Sequence, residues 1–189
     1  MVSWVYLLRH GETEWSLSGQ HTGTTDIPLT PRGEEEARSL KQRLGGVAFQ
    51  RVLTSPRIRA RRTCELAGLG AAAVVDENLR EWTYGEYEGL LYEEIQRRHP
   101  GWNIFQHGCP GGETPEQVAA RADQLLAVVR KTEGNVALFS HGHFTRALAV
   151  RWTGLPMEFG HVLGSVTGSI SVLGFNGNGS KPILLRWNC

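Results

Sequence analysis

Cysteine is scarce in this chain: Cys64, Cys109 and Cys189 are the three present in 189 residues. The number is odd, the spacings are long and no CxxC pair occurs. That excludes a disulfide framework and points to a reducing compartment. An excess of either charge is also missing. Twenty Lys and Arg against 19 Asp and Glu leave a net charge of +1, which offers no electrostatic case for nucleic acid or a membrane surface as partner. No apolar run reaches the roughly 18 to 20 residues that cross a bilayer. Residues 1–6 lack the basic stretch and long apolar run of a secretory leader. Internal repeats, low-complexity tracts and linkers are absent as well. What remains is a cytoplasmic enzyme or binding protein with a small-molecule partner, its oligomeric state left open. With 40% hydrophobic residues, one domain over 1–189 is expected.

What is present is an alternation of short apolar runs with helical patterns. Residues 4–8, 52–53 and 136–139 read as buried strands, with a weaker one at 74–75. Ile170–Phe175, a turn at 176–179 and residues 183–187 read as a hairpin. Thr30-Pro31, Ser55-Pro56 and Thr114-Pro115 each place a hydroxyl at a helix N-cap and a proline at the first helical position. Gln117 completes a capping box with Thr114. Val118, Leu125, Leu126 and Val129 form the apolar face of one helix, and Phe144, Leu148 and Trp152 that of another, beginning after His141. The fold class expected is α/β, a three-layer sandwich with a mostly parallel central sheet and an antiparallel edge. Residues 80–113 are irregular and rich in Gly, Trp, Tyr and His, the composition of a lid or binding wall.

Two segments share one design. A strand ends at Arg9-His10-Gly11 and another at Ser140-His141-Gly142. In open α/β sheets ligands sit beyond the carboxyl ends of the strands, so central placement of both strands brings the two histidines into one crevice. The glycine after each lets the backbone approach a ligand and present an N–H. A phosphate ligand needs planar, permanently charged donors. Arg9 and, among Arg57, Arg59, Arg61 and Arg62, Arg59 are placed to supply them. One histidine is then a nucleophile and the other stabilises charge on the transferring group. The leaving alkoxide needs a proton, for which Glu81 is the candidate, walled by Trp82 and Tyr84, with Glu86 and Glu88 as alternatives. His141-x-His143 invites a metal reading, but no third or fourth ligand stands at motif spacing, so no metal is expected. His143 is expected to touch substrate.

At this point the residues resemble a known family. Arg9-His10-Gly11-Glu12-Thr13, Thr22-Gly23 with residues 26–33, Ser55-Pro56-Arg57-Ile58-Arg59-Ala60, Leu79-Arg80-Glu81 with Gly85 and Glu88-Gly89, Gly112-Glu113-Thr114, and Ser140-His141-Gly142 with Arg146-Ala147 resemble the histidine phosphatase superfamily, the phosphoglycerate mutase-like proteins. The resemblance runs in order from residue 5 to about residue 155. It implies a phosphoglycerate mutase-like fold and a phosphomonoesterase that needs no metal or cofactor. By resemblance His10 is the phosphorylated nucleophile. Arg9, Arg59 and His141 hold the phosphate together with the Gly142 N–H. Glu81 is the proton donor and later the base. Ser16, Thr22 and Gly23 line the substrate pocket.

A narrower set, including Thr13-Glu14-Trp15-Ser16, Ser18-Gly19-Gln20, Trp102-Asn103-Ile104 and His141-Gly142-His143, is similar to the branch that contains sedoheptulose-1,7-bisphosphatase. This chain is shorter than that branch around residues 45–50 and 98–101, lacks its long C-terminal extension, and has Glu12 where glutamine is frequent. The substrate expected is a small phosphorylated metabolite, a sugar phosphate or sugar bisphosphate. Tyr84 would supply an aromatic face, and Gln20 and His143 hydrogen bonds to hydroxyls. The alternatives are a phosphoglycerate mutase, a protein phosphatase and a non-catalytic phosphate-binding module.

Overall fold

The computed structural model describes residues 2–177, 179 and 181–189. In chain order the elements are β1 (Val2–Arg9), α1 (Glu14–Ser18), α2 (Pro31–Arg43), β2 (Arg51–Thr54), α3 (Ile58–Leu66), β3 (Ala73–Val75), α4 (Tyr92–Arg98), α5 (Ile104–His107), α6 (Pro115–Lys131), β4 (Gly134–Ser140), α7 (Gly142–Thr153), β5 (Ile170–Phe175) and β6 (Pro182–Arg186). The strands form one sheet in the order β3-β2-β4-β1-β5-β6. β3, β2, β4 and β1 are mutually parallel, while β5 runs antiparallel to both β1 and β6. The antiparallel edge is thus the β5–β6 pair. The turn expected at 176–179 includes Asn178, which lies outside the described residues. At its base Asn176 N–H donates to Lys181 O at 2.9 Å.

The strands read as continuous apolar runs because helices cover both faces of the sheet. Successive side chains point to opposite sides, which splits the core in two. Val5, Leu7, Leu53, Val136, Leu138 and Leu173 pack under α6 and α7, against Val118, Leu125, Val129, Phe144, Leu148 and Trp152. Leu8, Val52, Ala137, Phe139, Ile170 and Val172 pack on the other face against Leu40 of α2 and Cys64 of α3. Each fully buried aliphatic side chain contributes about 1.5–3 kcal/mol. Among the described residues no helix is long and apolar enough to cross a membrane.

Two of the three expected helix starts form as read. Thr30 accepts the Gly33 N–H at 3.0 Å, and Thr114 and Gln117 exchange the two bonds of a capping box. The third is displaced. α3 begins at Ile58 with Arg57 at its N-cap position; the Ser55 hydroxyl accepts the Arg57 N–H at 3.3 Å and lies 2.7 Å from the His141 ring. The first free N–H of α3, that of Ile58, is satisfied instead by Asp26 Oδ1 at 2.8 Å, a partner 32 positions away.

The irregular stretch is more built than its composition indicates. It contains α4, α5 and a short 3₁₀ turn at Gly85–Tyr87. Trp82 and Tyr87 are core residues, buried with Phe105 and Leu79. Tyr84 alone of the aromatics at 82–87 also faces the cleft described next.

Candidate active site

Parallel pairing sets the site. Arg9 lies opposite Ser140 in the β1–β4 register, so His10 and His141 leave adjacent strand ends together, with ring centres 5.3 Å apart. Both rings are buried. His10 Nδ1 lies 2.7 Å from the Gly11 carbonyl oxygen. A carbonyl can only accept, so Nδ1 carries the hydrogen and Nε2 keeps its lone pair. Burial, reinforced by the charges of Arg59 and Arg9, holds the His10 pKa well below its ordinary value of 6.5. The ring is therefore a neutral imidazole with a free nitrogen.

The tautomer of His141 is set in the same way. Arg59 Nε donates to His141 Nδ1 at 3.2 Å, which leaves the hydrogen on Nε2, facing Ser55 Oγ. Burial and Arg59 push its pKa well down too. The rest of the Arg59 guanidinium, fully buried, spans a loop: Nη1 donates to Thr25 O, and Nη2 to Thr22 O and Gly23 O. Glu88 grips that loop from its other side, accepting the N–H groups of Gly23, Thr24 and Thr25. Arg9 reaches across the top of α7, where Nη1 donates to Ser165 O and Nε is buried without a partner. A Cβ on Gly142 would come within 3.3 Å of the Arg9 guanidinium carbon, so the glycine makes room for it.

Glu81 stands on the opposite wall. Its Oε1 accepts the N–H groups of Trp82 and Phe144, both at 2.9 Å, and Oε2 that of His143 at 3.0 Å. Helix α7 has no N-cap side chain of its own; the carboxylate of Glu81 fills that role at the positive end of the helix. Of the three glutamates considered, Glu81 lines the cleft, Glu88 holds the 23–25 loop, and Glu86 is exposed on the surface. Tyr84 Oη and His143 Nδ1 share a hydrogen bond of 2.6 Å. Burial and the Glu81 charge push the Tyr84 pKa far up, so the phenol keeps its proton. Donated to Nδ1, that proton leaves the His143 Nε2–H for a ligand.

These groups enclose a cavity of about 170 Å³. Of the residues expected in the site, Arg9, His10, Ser16, Gln20, Thr22, Glu81, Tyr84, Gly142 and His143 line it, while Arg59, His141 and Gly23 form the layer behind. Three expectations change. The Gly11 N–H goes to Thr63 Oγ1 at 3.1 Å, not to a ligand; a Cβ there would come within 2.2 Å of Gly33 O, so this glycine serves backbone packing on α2. The Ser16 hydroxyl is taken up in the cap of α1 by Thr13. The Gln20 amide is shared between Ser18 and Gly89 O, which leaves it little to offer a hydroxyl.

Five lining residues, Trp15, Gly19, His21, Arg146 and Ser165, were not assigned from the sequence, and the last three of these shape the site through contacts of their own. His21 stacks on His143 with ring centres 5.9 Å apart and 7° between planes. Ser165 offers its carbonyl to Arg9. Arg146 donates Nε to Gly160 O at 2.8 Å, lies over the Phe105 ring, and borders both this cavity and a neighbouring one of about 330 Å³. Its position was readable, since three residues after His143 is the same helix face. Among the described residues no three His, Cys, Asp or Glu side chains are arranged to hold a metal ion.

Known proteins resemble this chain in sequence and in fold. The model of the histidine phosphatase superfamily (branch 1) matches residues 5–189. An acid phosphatase of Mycobacterium tuberculosis is 43% identical over 173 residues, 89% of this chain and 85% of that protein. A sedoheptulose 1,7-bisphosphatase of Saccharomyces cerevisiae is 39% identical over 184 residues, 80% of this chain and 68% of that protein. The solved structure of a Mycobacterium tuberculosis open reading frame product superposes with a TM-score of 0.94 at 39% identity, covering 98% of this chain and 97% of that one.

Proposed function

The chain belongs to the histidine phosphatase superfamily and is a phosphatase, and from that premise we propose that it hydrolyses small phosphomonoesters through a phosphohistidine on His10. The observation that carries this reading is the His10 ring itself, neutral, with Nδ1 tied to Gly11 O and Nε2 left for attack. In the first half-reaction Nε2 bonds to phosphorus as the phosphorus–oxygen ester bond breaks. Arg9 and the remaining N–H of Arg59 neutralise the phosphoryl oxygens, with His141 Nε2–H beside them. Glu81 gives a proton to the leaving alkoxide. Of its two oxygens Oε2 accepts one N–H where Oε1 accepts two, so Oε2 is the atom with room for that proton. In the second half-reaction Glu81 takes a proton from water, which attacks phosphorus, releases His10 and yields inorganic phosphate. The arginines supply the positive charge, and no metal is needed.

The substrate we assign is a phosphorylated sugar or sugar bisphosphate. His143 Nε2–H can bond a hydroxyl, the Tyr84 face can cover carbon, and Arg146, which borders this cavity and its neighbour, offers a cation to a second anionic group. That matches the substrate in the name of the yeast relative. The test is phosphate release, with EDTA present, from sugar mono- and bisphosphates, 3-phosphoglycerate, nucleotides and phosphopeptides. A sugar phosphate or bisphosphate is expected to give the highest kcat/KM. Faster release from phosphopeptides, or interconversion of phosphoglycerates without net release, would overturn the assignment.

A further inference from the structure

The carboxylate of Glu81 meets the cleft, but its backbone is held from behind. Arg121, on α6, is 6% exposed and does not border the cleft. All five of its N–H groups have acceptors. Nε and Nη2 donate to Glu113 Oε1 and Oε2 at 3.0 and 2.9 Å. Nη1 donates to Asn78 O and Arg80 O, both at 2.8 Å, and Nη2 also approaches Glu81 O at 3.4 Å. Its guanidinium carbon lies 4.2 Å from the centre of the Phe144 ring, and the Phe144 N–H is one of the three that bind the Glu81 carboxylate.

Glu113 continues the grip on the far side of Glu81. Its Oε2 accepts the Thr83 N–H, its carbonyl accepts Trp82 Nε1–H, and its N–H donates to Thr83 O. The backbone on both sides of Glu81, together with a residue that binds its carboxylate, therefore rests on one pair, with Arg121 buried and Glu113 partly so. A buried ion pair is weak grounds for stability, since its desolvation offsets much of the attraction. Five directed donors are good grounds for geometry, and a lysine cannot reproduce them.

We propose that Arg121, paired with Glu113, is a positioning residue that aims the Glu81 carboxyl at the leaving oxygen. The proposal rests on Glu81 being the acid. A displacement of about 1 Å in a reacting group can lower a rate by roughly 10²-fold, so the effect falls on the step that needs the proton.

The experiment compares Arg121→Lys and Glu113→Gln with wild type, using kcat/KM for a sugar phosphate and for an aryl phosphate. The alkoxide leaving group needs the proton and the aryl oxide needs it much less. The ratio of the two values does not depend on the fraction of enzyme folded. The expected result is a fall in that ratio of about tenfold or more in both variants. Adding Arg121→Lys to Glu81→Gln should then lower the ratio no further, because residues acting as a unit are not additive. Proportional losses on both substrates, with a lowered Tm, would reduce Arg121 to a structural role and overturn the proposal. If Glu81→Gln itself left the ratio unchanged, the acid assignment would fall first, separately from Arg121.

Discussion

His10 and His141 face each other, ring centres 5.3 Å apart, because Arg9 and Ser140 are paired in register on neighbouring parallel strands. Two short motifs 131 residues apart in sequence thus become one site through a single strand pairing. Their rings differ in tautomer. His10 keeps a free Nε2 lone pair, and His141 carries its hydrogen on Nε2, where Ser55 Oγ lies at 2.7 Å. The first is equipped to attack and the second to donate.

His141→Ala should therefore lower kcat/KM by about 10²- to 10³-fold, the scale of removing one donor from a transition-state charge. It should also lower stability by roughly 1–3 kcal/mol, because Arg59 Nε and Ser55 Oγ lose a partner in a fully buried place. Paired kinetics and thermal melts check both. A variant with normal melting and normal kcat/KM would remove His141 from the site.

The buried histidines make stability fall with pH while leaving the nucleophile unprotonated. Burial, with Arg59 first among the charges on the first two and Arg146 on His143, holds His10, His141 and His143 well below 6.5. Unfolded, these rings take up protons near 6.5, whereas folded they do so only at lower pH. In that window the unfolded state binds more protons, so stability is full above pH 6.5 and is lost as pH drops below it. His10 meanwhile stays neutral and nucleophilic. Thermal melts should fall in Tm from pH 7 toward pH 5. The kcat/KM profile, corrected for ionisation of the substrate, should show no protonation of the enzyme's nucleophile at 6.5. An acid limb centred there and absent from substrate titration would contradict the assignment of a neutral, buried His10.

The three-layer build, the mostly parallel sheet and its antiparallel edge were legible because apolar runs, N-caps and the repeated His-Gly strand ends are local signals. Thr30, Thr114 and Gln117 cap as read. What escaped was set by contacts across the chain. Asp26 caps α3 at Ile58 from 32 positions away, so the Ser55-Pro56 pattern misplaces the helix start by two residues. Gly11 and Gly33 are fixed by backbone-to-backbone approach, which no local pattern marks. Glu81 could be told from Glu88 only once the 23–25 loop was seen to occupy Glu88. Arg121 gave no sign of its partners because its five acceptors are mostly backbone carbonyls.

Tyr84→Phe tests the His143 tautomer. The ring stays to cover the substrate, but the hydrogen bond at 2.6 Å is lost and Nδ1 is free to take the proton. A sugar phosphate should lose roughly 5- to 30-fold in kcat/KM, about 1–2 kcal/mol for an unpaired polar contact, while an aryl phosphate without hydroxyls should lose little. Equal losses would assign Tyr84 to phosphate binding or to packing.

On the proposed mechanism activity should be unchanged after exhaustive treatment with EDTA, since Arg9 and Arg59 would supply the positive charge and His141 a donor around the phosphoryl site. Loss on chelation, restored by a divalent cation, would replace the mechanism with a metal-assisted one.

The central claim is covalent attachment of phosphate to His10 Nε2, and the most direct measurement is rapid quenching of the enzyme with a labelled phosphate ester. The account predicts acid-labile, base-stable label on His10, bonded at Nε2 because Nδ1 is held by Gly11 O, and none on the His10→Ala protein, which should be inactive. Label on another residue, label at Nδ1, or a His10→Ala enzyme that retains a substantial share of its rate would contradict it.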